Sequence, residues 1–204
     1  TGEGEHGPFI ALSATKDVQD AILADKKRYE TVDIIDFRYW WRTDKGEFAP
    51  PSGKNLAPRQ FERQWRGGRP NDENLANMVA EYRAKFPNKP VICNFDAAKW
   101  AWVCAGGSMP RLSQSTDPQL LAAIPRMQPW SEASRNGRWA LREAGKQILV
   151  YGGGELNLSQ ETGSFRLNII HTRNGEVTAD KIINAGSKVV LPDAKVVWLT
   201  KVTE

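Results

Sequence analysis

Residues 31–41, TVDIIDFRYWW, decide how the rest of the chain is read. Val32, Ile34, Ile35 and Phe37 form a short apolar run rich in β-branched side chains, the composition of a strand covered on both faces. The run then changes to Asp36, Arg38, Tyr39, Trp40 and Trp41. A buried parallel strand has little use for a carboxylate, a guanidinium and three aromatic rings at its last turn, so these side chains are expected to line a cleft. In α/β barrels the C-terminal ends of the strands carry the chemistry. An acid and an arginine beside indole rings suit a sugar: the charged groups bond hydroxyls, and the ring faces stack on the C–H face of a pyranose. The alternative is a core strand whose Asp36 and Arg38 pair with each other and whose tryptophans pack beneath a loop.

A chain of 204 residues has room for one large domain, or a medium domain and a small one. It is 40% hydrophobic and 25% charged, as ordinary globular proteins are. Its apolar runs fall far short of the ~18–20 residues that span a bilayer, so no transmembrane helix and no membrane partner are expected. Residues 1–6 are polar and acidic, without the charged and apolar regions of a signal peptide. A mature or fragmentary chain would look the same, so this leaves the compartment open.

The net charge of +4 comes from 28 basic and 24 acidic residues scattered along the chain. Arg59, Arg63, Arg66 and Arg69 with Trp65 are the densest basic patch. Such a patch can contact phosphates, but a solvated loop or a pocket edge is the simpler reading, and no nucleic-acid partner is expected. Cys93 and Cys104 fit no metal motif and no disulfide framework; they read as buried free thiols, with one disulfide as the alternative. His6 and His171 lie far apart, and neither has a zinc ligand set nearby. No metal and no cofactor are expected. Eight tryptophans are many for this length. Carbohydrate-active proteins often carry such an excess, but tryptophans are also plain core residues.

Before the central stretch, residues 9–14, FIALSA, read as a buried strand. Residues 15–24 follow as a helix, with Thr15 or Ser13 as cap and Asp17 in the first turn. Residues 44–68 form a long loop with Pro50, Pro51 and Pro58, which Leu56, Phe61 and Trp65 are expected to order. Leu75, Met78, Val79, Tyr82 and Phe86 share one face of a helix over 72–86, capped by Asn71. Val91 to Phe95 is another buried strand. Further helices are expected over 97–105 and 117–127, with a turn or tight strand at Gly106-Gly107-Ser108. Strands alternating with helices argue for βαβ units and a parallel sheet.

From about Gly137 the pattern changes to short runs with period-two alternation or β-branched content: 139–141, 147–151, 155–158, 164–172, 181–185, 188–191 and 196–200. Turn signals separate them at 152–154, 161–163, Asn174-Gly175 and Pro192-Asp193. This is an all-β module, expected to be a small antiparallel β-sandwich, joined through a linker at 129–136.

With both halves placed, the chain resembles the C-terminal half of a family of bacterial glycoside hydrolases that have a (β/α)8 barrel followed by a small β-sandwich, often called a collagen-binding domain. The matching residues are SATKDVQDAIL (13–23), VDIIDFRYWW (32–41), LAPRQ (56–60), AEYRAKFPNKPV (80–91), WAWVCAGGS (100–108), and the tail from QILVYGGG to VVWLTK (147–201). The tail pattern is shared by many sandwich modules. The resemblance implies that FIALSA is the fifth barrel strand, the central stretch the sixth, PVICNF the seventh and GGSM the eighth. Residues 1–130 would then be half a barrel and 137–204 the sandwich. A second polypeptide would supply strands one to four, since a half-barrel alone exposes a sheet edge and an apolar inner face. The alternative is a complete small α/β domain that closes on itself. The expected address is secreted, periplasmic or cell-surface.

A retaining glycosidase needs two carboxylates ~5 Å apart, and an inverting one needs them wider. In many related barrels the acid/base follows strand four, outside this chain, and a glutamate nucleophile ends strand seven. This sequence reads Asn94-Phe95-Asp96 there, with no glutamate. Asp36 and Asp96 are therefore the candidate catalytic residues, although Asp96 can equally cap the helix that follows. Lys16 and Asp17 can bind hydroxyls or a uronate. Arg38 and Arg59 can clamp a carboxylate. Tyr39, Trp40 and Trp41 are the stacking candidates, and Asn94 completes the substrate-binding set. Either the chain hydrolyses a complex, possibly acidic, polysaccharide, or it is a non-catalytic carbohydrate-binding or adhesion protein with a degenerate barrel. Trp100 and Trp102 cannot share one helix face, so at least one is core.

Overall fold

The run at 32–37 forms a strand, as its β-branched content predicts. A computed structural model describes residues 9–43, 45–50, 69–135, 137–192 and 196–202. Numbered along the chain, β1 (Ala11–Ser13), β2 (Ile34–Phe37) and β5 (Val91–Cys93) make a parallel sheet in the order β1-β2-β5. Ser13 lies beside Asp36, and Asp36 beside Ile92. Each new strand adds on the same side as the last, without the reversal of a doubly wound sheet. A two-strand hairpin of β3 (Trp41–Arg42) and β4 (Phe48–Ala49) follows β2.

Helices α1 (Lys16–Ala24) and α2 (Lys26–Thr31) join β1 to β2, and α3 (Asp72–Lys85) precedes β5. The α3 boundaries follow the sequence closely. The Asn71 carboxamide accepts from the Asn74 N–H at 2.7 Å, acids fill the first turn, and Leu75, Met78, Val79 and Tyr82 are buried. Thr15 sits at the α1 cap position but makes no side-chain cap bond; its hydroxyl donates to Asp17 at 2.7 Å. Sequence reading misses α2. KKRYET has no apolar stripe, and its first turn is held by the Asp25 carboxylate, which accepts from the Arg28 N–H at 3.0 Å.

Ile35, Phe37 and Val91 are fully buried. The Phe37 ring stands edge-on to Tyr82 at 4.9 Å and to Trp40 at 5.0 Å. On the strand positions that alternate with these, Ala11 is exposed and Ile34 and Ile92 are only half-buried. Asp36, on the same face as Ile34, is buried, so among the described residues the second face of β2 is less deeply covered than the first rather than equally, as its composition suggested. The expected eighth strand is also absent. Residues 106–109 form a turn, with φ +93° at Gly106 and +50° at Met109, and the Ser108 N–H donates to the Val91 carbonyl at 2.8 Å.

By contacts the chain divides into Thr1–Ala98 with Gly107–Met109, and Lys99–Gly106 with Pro110–Glu204. The second unit is built on an antiparallel sheet in the order β11-β10-β13-β8-β7-β6. Its strands are β6 (Gln128–Pro129), β7 (Trp139–Glu143), β8 (Gln147–Tyr151), β10 (Ser164–Ile170), β11 (Val177–Asn184) and β13 (Val196–Lys201). β9 (Gly154–Asn157) pairs with β12 (Lys188–Leu191) as a separate ribbon. Ala140, Ile148, Val150, Phe165, Leu167 and Leu199 of the large sheet pack with Leu156, Leu158 and Leu191 in one core.

Helix α4 (Trp100–Cys104) packs on β7 and β8, which is why it groups with this unit and not with the parallel sheet. All five of its residues are buried, so both tryptophans are core; the Trp100 indole N–H donates to the Thr172 carbonyl at 3.0 Å. In α5 (Pro118–Ala123) the Asp117 carboxylate accepts from the N–H groups of Gln119 and Leu120, at 2.8 and 3.0 Å. The expected boundary at 130–137 thus lies later in the chain than the division by contacts.

The Asn174-Gly175 turn joins β10 to β11 as its sequence predicts, with Gly175 at φ +72°. The loop before α5 closes over it: the Ser115 hydroxyl donates to the Asn174 carbonyl at 2.9 Å, and the Asp117 N–H to the Gly175 carbonyl at 3.2 Å. A Cβ on Gly175 would stand 2.3 Å from Thr116 Oγ1 and 2.7 Å from its Cα. Gly175→Ala is therefore expected to cost about 2–3 kcal/mol, from left-handed strain plus overpacking. Urea denaturation checks this, and a loss below ~0.5 kcal/mol would mean that the loop moves aside freely.

Lys146 and Gln147 each bond the carboxylate of Glu143, the last residue of β7, at 2.7 Å, and Arg126 lies 3.4 Å away. Together, Lys146 first, they hold its carboxyl below the ordinary value of 4.5. A depressed carboxyl stabilises the fold above its unfolded-state value and loses that contribution as pH falls through the folded one. The difference in Tm between wild type and Glu143→Gln should therefore be present at neutral pH and vanish as acidification passes below about 4.5. Melting curves taken from neutral to acid pH test this; a difference that widens on acidification reverses the assignment.

Candidate functional site

The C-terminal ends of β2 and β5 lie side by side, because Phe37 and Cys93 are register partners. Asp36 is the penultimate residue of β2 and is 1% exposed. Its Oδ2 accepts from the Ser13 hydroxyl at 2.5 Å and lies 3.1 Å from Arg38 Nε. Its Oδ1 is buried without a hydrogen-bond partner among the described residues. Buried carboxylate oxygens are normally bonded, so a vacant one calls for a further donor such as a substrate hydroxyl or water. Arg38 is half-exposed, with the rest of its guanidinium fork available to an anion.

Tyr39 and Trp41 are half-buried just beyond. Trp41, on β3, stands edge-on to Phe95, with ring centres 5.4 Å apart, which ties the segment after β2 to the segment after β5. Asn94 and Asp96 are exposed immediately after β5. Asp96 lies in a turn and not at a helix cap: α4 begins at Trp100, with Lys99 at its cap position. The structure therefore gathers Asp36, Arg38, Tyr39, Trp41, Asn94 and Asp96 onto the ends of two neighbouring parallel strands.

Three other candidates do other work. Trp40 is fully buried; its indole N–H donates to Gln19 Oε1 at 2.8 Å and its ring packs on Phe37, Tyr82 and Phe48. It has no face to offer a sugar, which corrects its assignment as a stacking residue. The reason is local: the chain leaves the strand after Phe37, and the first indole turns back under the helices. Lys16 pairs with Asp20 and lies 5.5 Å from the centre of the Trp40 ring and 5.2 Å from that of Phe48, so its ammonium braces α1 on the hairpin. Asp17 is exposed and accepts from the Thr15 hydroxyl. Arg59 and the rest of residues 51–68 lie outside the described residues.

Two positions escape sequence reading. Ser13 orients Asp36, and Gln19, itself fully buried, donates to the carbonyls of Leu12 at 3.0 Å and Asp36 at 3.3 Å while holding Trp40. The usable signal for Ser13 is its place at the end of a strand parallel to β2. Behind the sheet, Tyr82 donates to Asp20, and burial, reinforced by that acid, pushes the phenol far above its ordinary value, so it stays neutral. Among the described residues no group of three His, Cys, Asp or Glu side chains is placed to hold a metal, and no helix is long and apolar enough to cross a membrane. Cys93 is half-buried and Cys104 buried.

No curated protein matches the sequence. Among solved structures, a glycoside hydrolase family 5 protein from Bacteroides vulgatus ATCC 8482 is similar at 13% identity and TM-score 0.55, over 97% of this chain and 57% of that one. Another, described as "Glycoside hydrolase", is similar at 14% identity and TM-score 0.52, over 87% of this chain and 54% of that one. At such identities the likeness is one of fold: the chain has a glycoside hydrolase-like fold and spans little more than half the length of these neighbours. A family model described as "Domain of unknown function (DUF6298)" matches residues 2–127. That match covers more than half of the 204 residues, and the chain belongs to the DUF6298 family.

Proposed function

We propose that this chain is the C-terminal part of a glycoside hydrolase, contributing strands five to seven of a (β/α)8 barrel and a following β-sandwich, and that it acts on a complex, acidic polysaccharide. The observation that carries the reading is Asp36: a buried carboxylate at the C-terminal end of the middle parallel strand, with one oxygen held by Ser13 and Arg38 and the other vacant. Asp36 and Asp96 serve as the carboxylates of the reaction, Arg38 receives an acidic group of the glycan, and Tyr39, Trp41 and Asn94 line the subsite. Arg59 stands as a second arginine on sequence grounds. No cofactor is needed, since two carboxylates suffice for glycoside hydrolysis. A secreted, periplasmic or cell-surface address suits such a substrate.

The barrel is completed by an N-terminal half on a second polypeptide or on a preceding segment. The one-way strand order, the edge of β1 that no described strand pairs, and the exposure of Phe9 (75%) and Ile10 (54%) beside it support this. A second reading, carbohydrate binding without cleavage, is favoured by the sequence after β5, where Asn94 and Asp96 stand in place of a glutamate. The test is to assay the chain together with its N-terminal half against neutral and acidic polysaccharides, following reducing-sugar release and binding. Release from acidic glycans supports the hydrolase. Saturable binding with no release across the panel sinks it in favour of the binding protein.

A further inference from the structure

In the second unit, a cleft of about 60 Å³ opens between the turn before β7 and the end of β9. Trp130, Glu132, Arg135 and Arg138 line one side, and Asn157, Ser159 and Gln160 the other. Arg138 is 8% exposed. Its Nε donates to the Ala133 carbonyl at 2.9 Å and its Nη1 to the Glu155 carbonyl at 2.7 Å. A guanidinium that deep is normally matched by an anion, yet Arg138 has no ion pair among the described residues. Burial, and next to it the charge of Arg135, lowers its pKa from the ordinary arginine value. Arg135 is exposed at the rim and likewise forms no ion pair among the described residues.

The acid that lines the cleft, Glu132, is already an acceptor. Gln160 Nε2 lies 3.3 Å from its Oε2, and the Trp130 indole nitrogen 3.5 Å. Asn157 Oδ1 accepts from the Ser159 N–H at 3.0 Å, which leaves the Asn157 amide hydrogens for another acceptor. The cleft thus holds two guanidinium groups against one carboxylate, with an amide, a hydroxyl and an indole edge around them.

We propose that this cleft is a second ligand site, which takes the carboxylate of a uronic-acid residue. Arg135 and the Asn157 amide bond the carboxylate above Arg138, the pairing that planar guanidinium forks favour. Glu132 and Ser159 take ring hydroxyls, and the Trp130 edge meets ring C–H groups. Glu132 disfavours dianions such as phosphate. At about 60 Å³ the cleft takes one head group and not an extended glycan, against the ~300–1,000 Å³ of sites that enclose a whole drug-sized ligand. The site lies within the second unit and does not depend on the strand-end carboxylates being catalytic.

Isothermal titration of the chain with D-glucuronate, acetate and D-glucose tests the proposal. Saturable glucuronate binding is expected, weaker for acetate and absent for glucose. Arg135→Ala, on an exposed side chain and with an unchanged melting curve, should weaken glucuronate at least ~10-fold, a loss of ~1.4 kcal/mol. Ser159→Ala should weaken glucuronate while leaving acetate unchanged. Asp36→Asn should leave glucuronate binding at this cleft intact, so failure here and failure of the hydrolase reading are separable. No saturable glucuronate binding, equal affinity for glucose or acetate, or an Arg135→Ala variant that binds like wild type overturns the proposal.

Discussion

Replacing Trp40 by alanine is expected to destabilise the first unit by about 3–5 kcal/mol, the range for emptying a large buried aromatic site. Trp40 is fully buried and packs on Phe37, Phe48 and Tyr82. Its loss also strands Gln19 Oε1, which it now bonds at 2.8 Å, while Gln19 itself holds the carbonyls at the ends of β1 and β2. Trp40→Phe keeps most of the ring contacts and loses the hydrogen bond. It should fall between, at about 1–3 kcal/mol, set mainly by the orphaned acceptor. Chemical denaturation followed by fluorescence, with Trp41→Ala as the half-buried comparison, reads both. A Trp40→Ala variant as stable as wild type but impaired in glycan binding would restore Trp40 to the sugar site.

Asp36→Asn is expected to lower glycan hydrolysis by about 10²–10⁴-fold, the usual contribution of a positioned acid or base, in the assembly that contains the N-terminal half. The same change should barely affect stability. Asparagine still accepts from Ser13, and Arg38 is about half exposed, so the pair is worth about 1 kcal/mol or less. Rate and stability thus separate the two roles of this carboxylate. A lost rate with an unchanged Tm marks a catalytic group, whereas a lowered Tm with an unchanged rate marks a structural one. Asp96→Asn, on an exposed residue, should leave Tm unchanged and lower the rate. If both variants cleave at the original rate, the proposed pair is wrong.

The second unit was largely legible from sequence. Strands form at every run read from residue 139 onward, because each is a short alternating or β-branched run bounded by turn residues, and such local patterns survive without knowledge of neighbours. Helix α3 was legible for the corresponding reason, with an asparagine cap, acids first and an apolar stripe. What failed were the elements whose stability comes from elsewhere. KKRYET forms a helix without an amphipathic pattern. The expected helix over 97–105 shrinks to α4, enclosed all round on β7 and β8.

The opening stretch shows where the limit falls. Its composition was enough to place a strand at 34–37 with an acid near its end and aromatics beyond. Whether Asp36 and Arg38 pair or face a ligand had two answers in the sequence, and the structure contains part of both: they pair, and one carboxylate oxygen stays vacant. Which indole is core was undecidable, since the alternation loses its phase once the strand ends at Phe37; Trp40 turns under the helices and Trp41 meets Phe95. Sequence by itself determined the element types, the turns and the chemical character of the strand ends, because these follow from local periodicity and backbone preference. Only the tertiary structure decided that Ser13 orients Asp36 from 23 residues away and that one face of the sheet is more deeply buried than the other, because parallel register and burial arise from contacts between segments that no local pattern encodes.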